Sequence, residues 1–174
     1  ITDYGMVFFK AAARVSRENG IPIITHTQEG TMGPEQAQLL ISEGADPNRI
    51  MIGHMGGSTD LDYHLRTLEQ GVYIAFDRFG LQGLVGCPMD DRRIACIAGL
   101  ISAGYVEKIM ISHDSILHWL GRPLQVPEVA LPLIANWNWG HIFKNIIPAF
   151  KKGGVTEEQV HTILVENPGR FFGY

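Results

Sequence analysis

The sequence is poor in cysteine, in charge and in long apolar runs. Its 174 residues include two cysteines, Cys87 and Cys96, with no C-x-x-C spacing. That excludes a disulfide scaffold and leaves a reduced pair, and a cytoplasmic protein, as the expectation. Charged residues make up 18%, with 14 Lys and Arg against 18 Asp and Glu. No basic stripe stands out, so nucleic acid is not an expected partner. The longest apolar stretches, such as Ile94 to Ile101, are interrupted by small residues and fall far short of the ~20 residues a bilayer helix needs. No secretory leader pattern opens the chain, and no membrane partner is expected. No G-x-G-x-x-G follows a candidate strand, which argues against a dinucleotide fold. What remains, 45% hydrophobic with mean hydropathy near zero, suits one globular domain.

Apolar periodicity alternates between two lengths along the chain. A helix capped by Thr2 or Asp3 runs to about Asn19, with Phe8, Phe9, Ala12 and Val15 as its apolar face and Gly20 as its stop. Short β-branched runs follow at Pro22–Thr27, Arg49–His54, Val72–Asp77 and Lys108–Ser112. Helical patterns separate them: one opening at Pro34, one from a Thr59 cap to Gln70, and one over Met89–Ala103. After the fourth strand comes irregular chain, Ile116 to Gly140. Helices over Ile142–Lys152 and Thr156–Val165 close the sequence, with Asn167-Pro168 ending the last. This is a string of βα units, and it predicts an α/β fold with a parallel sheet. The strands read as barrel staves.

The strands lose their apolar character at one end. Three finish on a possible metal ligand, His26, His54 and Asp114, and the remaining one finishes on Asp77-Arg78. In parallel α/β folds the strand C-termini share one mouth, so residues far apart in sequence converge. Imidazole and carboxylate are donors that Zn²⁺, Mn²⁺, Fe²⁺ and Co²⁺ accept while keeping an open position. A single strand-end histidine is usually structural, but the repetition points to a metal site. Strand alternation lets one of His113 and Asp114 face the mouth. Asp114 is the better choice, and His113 packs behind. Arg78 can polarise a substrate oxygen or pair with Asp77 or Asp114. Leu117, His118 and Trp119, in the loop after the fourth strand, suggest a pocket wall. His64, His141 and His161 are expected at the surface or in packing.

These stretches resemble a known family. Gly20-Ile-Pro-Ile-Ile-Thr-His-Thr27, Arg49-Ile-Met-Ile-Gly-His54, Phe76-Asp-Arg-Phe-Gly80, Lys108-Ile-Met-Ile-Ser-His-Asp114 and Asn167-Pro-Gly-Arg-Phe171 are similar to the phosphotriesterase family of the amidohydrolase superfamily, including its lactonases. The resemblance implies a (βα)8 TIM barrel, here strands five to eight in one C-terminal half-barrel domain, 1–174. It implies two divalent metals, read as two Zn²⁺ with Mn²⁺, Fe²⁺ or Co²⁺ as substitutes. His26 and His54 would share one metal. Asp114 would bind the other and take a proton from a metal-bridging hydroxide. Arg78, Phe79, His118 and Trp119 would meet the substrate. Asp-Arg-Phe-Gly resembles the lactonase branch, so a lactone or other carboxylic ester is expected, with an aryl phosphotriester or a non-catalytic binding remnant as alternatives. The family's proton-relay Asp, three residues past His54, is replaced here by Gly57. The chain opens on Ile1, inside a helix, as if within a longer polypeptide. An N-terminal half barrel, or a second copy in a homodimer, would be needed to close the sheet.

Overall fold

A computed structural model describes residues 1–84, 86–116 and 118–173. Val85, Leu117 and Tyr174 lie outside it, as does the side chain of Trp119. Helix α1 (Asp3–Asn19) is capped by Thr2, whose hydroxyl accepts from Gly5 N, and ends at a left-handed Gly20. Strand β1 (Ile23–His26) follows. Then come α2 (Gly33–Ser42), β2 (Ile50–Gly53), α3 (Leu61–Leu68), β3 (Tyr73–Phe76), α4 (Asp90–Ser102) and β4 (Ile109–Ile111). The four strands are parallel and lie in sequence order, β1-β2-β3-β4. Ile23 pairs with Ile50, Met51 with Tyr73 and Ile74 with Ile109. The fold is α/β, as the pattern of short apolar runs predicts.

Strand alternation divides the core into two layers. Ile50, Ile52, Ile74, Phe76 and Ile109 point outward into the main core against the helices. Met51, Tyr73, Ala75 and Met110 lie on the other face and cluster with Phe171. β2 and β3 are buried throughout, whereas β1 at the sheet edge is exposed at alternate residues, Ile24 at 54%. That contrast follows from position: the inner strands have a neighbour on each side and β1 has one.

The structure differs from expectation at four places. α1 buries Ala13 and Ser16, while Phe8 and Val15 are 58% and 49% exposed. Small residues let α1 pack closely on α2, and this turns the bulky stripe towards a groove beside Ile23 and Ile24. α3 is capped by Asp60 rather than Thr59, because the Asp60 carboxylate accepts from Asp62 N and Tyr63 N. The segment after β4 contains a small hairpin, β5 (His118–Trp119) with β6 (Arg122–Pro123), and a 3-10 stretch at Glu128–Ile134.

The last difference concerns Asn167-Pro168, which does not end a helix. α6 (Glu157–His161) widens into a π turn, Thr162–Glu166, and continues as α7 (Asn167–Phe172). The same arrangement precedes Pro148: a π turn, Ile142–Ile146, runs into α5 (Ile147–Lys152). A proline ring in a helix collides with the carbonyl four residues back and supplies no N–H. A wider turn just before it relieves both problems, so the helices pass through. Cys87 and Cys96 are free and buried. No helix among the described residues is long and apolar enough to cross a membrane.

Candidate active site

The C-terminal ends of the four strands bring His26, His54, Asp77, Arg78 and Asp114 to one mouth. His26, the last residue of β1, places its ring 4.4 Å from that of His54, at 84°. His54 directly follows β2 and has φ 57, in the left-handed region. This turn aims its backbone N–H at Asp77, 3.0 and 3.1 Å from the two carboxylate oxygens. Its ring Nδ1 also lies 2.8 Å from Asp77 Oδ1. Gly53 makes the turn possible, because a Cβ there would stand 2.3 Å from the Thr25 carbonyl oxygen.

Asp114 also has a left-handed backbone, φ 50. Its Oδ2 accepts from Arg78 Nε at 3.1 Å and lies 4.0 Å from His54 Nε2. Of the two pairings open to Arg78, the structure shows the one with Asp114. A concavity of about 420 Å³ lies on the inner face of the sheet, lined by Met51, His54, Asp77, Met110 and Asp114 among others. His113 turns the other way. Its Nε2 accepts from Ile142 N at 3.3 Å and its carbonyl accepts from Trp137 Nε1 at 2.6 Å. Burial, and then the nearby His141, hold its pKa below the usual histidine value.

The outer residues divide. Phe79 is fully buried, its ring edge-on to Phe150. It belongs to the core and not to a pocket wall: its backbone N–H bonds the Ser112 carbonyl beyond β4 and its side chain joins the main apolar cluster. His118 is exposed on β5, and Leu117 lies outside the described residues. His64 is fully buried, with Nε2 2.9 Å from the Met55 carbonyl. His141 is buried against Asp90 at 2.8 Å, and His161 pairs at the surface with Glu166. Asp77 is the residue whose role the sequence did not reveal. The strand-end signal was there, but not that it orients His54.

The donors suit a borderline divalent metal in kind. Each imidazole has one nitrogen held: His26 Nε2 by Gln28 Oε1 at 3.0 Å, and His54 Nδ1 by Asp77. Tying one ring nitrogen is how proteins orient a histidine for a metal at the other. His26 Nδ1 has no hydrogen-bond partner among the described residues, and His54 Nε2 faces Asp114. Among the described residues, no three His, Cys, Asp or Glu side chains close around one point. Two imidazoles and one carboxylate paired with arginine therefore fit as part of a coordination shell.

The model of the phosphotriesterase family matches residues 1–172. A "Phosphotriesterase homology protein" of Mycobacterium tuberculosis is 39% identical over 164 residues, covering 94% of this chain and 48% of its own length. An "Aryldialkylphosphatase" of Saccharolobus solfataricus is 39% identical over 167 residues, 94% of this chain and 51% of that protein. The solved organophosphorus hydrolase of Deinococcus radiodurans is 57% identical with a TM-score of 0.95, covering 99% of this chain and 52% of that one. A mutant PTE-like lactonase from the same organism is 55% identical at 0.95, over 99% and 54%. The chain spans about half the length of each, and its four βα units are those of half a TIM barrel. By sequence and by fold, the chain belongs to the phosphotriesterase family.

Proposed function

We propose that this chain supplies half the active site of a metal-dependent hydrolase that cleaves a lactone or another carboxylic ester. The observation that carries this is the meeting of His26, His54, Asp114 and Arg78 at one mouth, with the histidine rings 4.4 Å apart and Arg78 3.1 Å from Asp114. The ester preference draws support from the 55% identity to a PTE-like lactonase. His26 and His54 would hold one divalent ion and Asp114 would contribute to a second, Zn²⁺ being the first choice for such donors. When bound, the ions polarise the ester oxygen and lower the pKa of water.

The chain's own side chains would do the following. Asp77 keeps the His54 ring in one orientation. Arg78 Nε holds Asp114 Oδ2 and orients the carboxylate, which takes the proton as water attacks. The Nη groups of Arg78 donate to the ester oxygen. His118, on the hairpin beyond β4, borders the part of the substrate that does not react.

The aryldialkylphosphatase relative favours a second substrate class, an aryl phosphotriester. A panel of lactones run against one aryl phosphotriester, with divalent metal present, separates the two. Faster lactone hydrolysis is expected, and the reverse order would overturn the ester preference. Assayed alone, the 174-residue chain is expected to bind metal weakly and hydrolyse little, since it carries three donors. Two tightly bound ions with fast turnover would contradict that. Failure to hydrolyse either substrate once the sheet is closed by a complementary half barrel would favour a binding remnant.

A further inference from the structure

Behind the mouth lies a charged side chain with no exposed surface. Arg93, near the start of α4, is fully buried. A guanidinium does not lose its charge in proteins, so its burial has to be matched by partners. Arg93 Nε donates to the Gly56 carbonyl at 3.1 Å. Its Nη1 reaches the carbonyls of Arg78 at 2.9 Å and Leu81 at 2.8 Å, and Asp90 Oδ1 at 2.9 Å. Asp90 in turn accepts from Gly80 N and meets His141 Nε2. Gly56 leaves room for this, since a Cβ there would stand 2.9 Å from the Phe76 ring and 3.5 Å from Arg93 Nε.

The carbonyls that Arg93 holds belong to the two turns that carry site residues. Gly56 is in the turn after β2, which begins with His54. Arg78 and Leu81 are in the turn after β3. Arg78 is thus fixed at both ends, its carbonyl on Arg93 and its Nε on Asp114. We propose that Arg93 is a positioning residue: its buried guanidinium sets the turns after β2 and β3 against each other, so that Arg78 meets Asp114 beside His54. This rests on the mouth being the active site, but its test needs neither metal nor turnover. A chain that hydrolyses nothing would leave it standing.

The experiment is ¹⁵N NMR on the full chain, following hydrogen exchange at Arg78 Nε–H. Two variants are compared with the parent protein. Arg93→Lys keeps the charge and loses the planar fork that reaches both turns. Arg93→Met combined with Asp90→Asn removes both members of the ion pair, so no lone buried charge is left. In the parent, Arg78 Nε–H is expected to exchange slowly. In both variants exchange there should rise at least about tenfold, while the Arg49 guanidinium, which holds the Phe171 carbonyl at 2.7 Å near the other end of the sheet, keeps its protection. Unchanged Arg78 protection in a folded variant would overturn the proposal, as would an unprotected Arg78 in the parent. Equal loss at Arg78 and Arg49, or loss of the fold in both variants, would make Arg93 a general core residue and overturn it too.

Discussion

His54 and Asp114 both hold the backbone in the left-handed region, φ 57 and φ 50. For a residue with a Cβ this conformation costs roughly 1–2 kcal/mol, and it recurs where a side chain must be aimed. At His54 it delivers ring and backbone N–H together to Asp77. Replacing Asp77→Asn keeps the shape but gives Nδ1–H a poorer acceptor. We expect divalent-metal affinity to fall by about 10–100-fold, measured by calorimetric titration with Co²⁺; an unchanged affinity would remove Asp77 from the site. Phe79→Ala should cost about 3–5 kcal/mol in urea unfolding, because the ring is buried on Phe150. A substrate-contact role would instead move KM and spare stability. His26, His54 and Asp114 were legible because each lies at or just past the C-terminal end of an apolar strand, and strand ends converge. Asp77's partner and Phe79's direction were not, since both depend on turns, after β2 and β3, that leave no periodic signal.

At the scale of elements, the turn after β2 leans on α3. His64 of α3 is fully buried and bonds the Met55 carbonyl, and burial holds its pKa below the normal value. Unfolded, it titrates near 6.5, so below that pH the unfolded chain binds more protons than the folded one. The stability it lends is complete above the unfolded pKa and is lost as pH falls through it towards the lower folded value. His113 acts in the same direction. The urea midpoint should therefore drop between about pH 7.5 and pH 5.5, and drop less in His64→Gln; equal slopes would remove His64 as a cause. The helices and strands themselves were largely legible, since apolar spacing and capping residues mark them. Two things were not. Helix period shows an apolar stripe on α1 but not which part of it meets α2. A proline reads as a stop unless a π turn precedes it, and nothing in Thr162–Glu166 or Ile142–Ile146 announces one.

For the whole molecule, the sheet has open parallel edges at β1 and β4. Beside β1, Ile24 and Phe8 are more than half exposed, a combination that invites pairing with other chains. The chain on its own is expected to self-associate as concentration rises, which sedimentation velocity would detect. Ile24→Lys should weaken that association; indifference to the substitution would place the contact elsewhere.

The seal on the inner face of the sheet has its own consequence. Phe171 packs on Tyr73, and its carbonyl takes Arg49 from a residue 122 positions earlier. A ribosome adding about 5–20 residues per second needs roughly 6 to 24 seconds to cover that separation. In the later part of that interval, once Phe76 has been added, β2 and β3 have both been made while their shared plug has not. Met51 and Tyr73 then face water or a chaperone, and the protein is most prone to misassociate in the final seconds before α7 emerges.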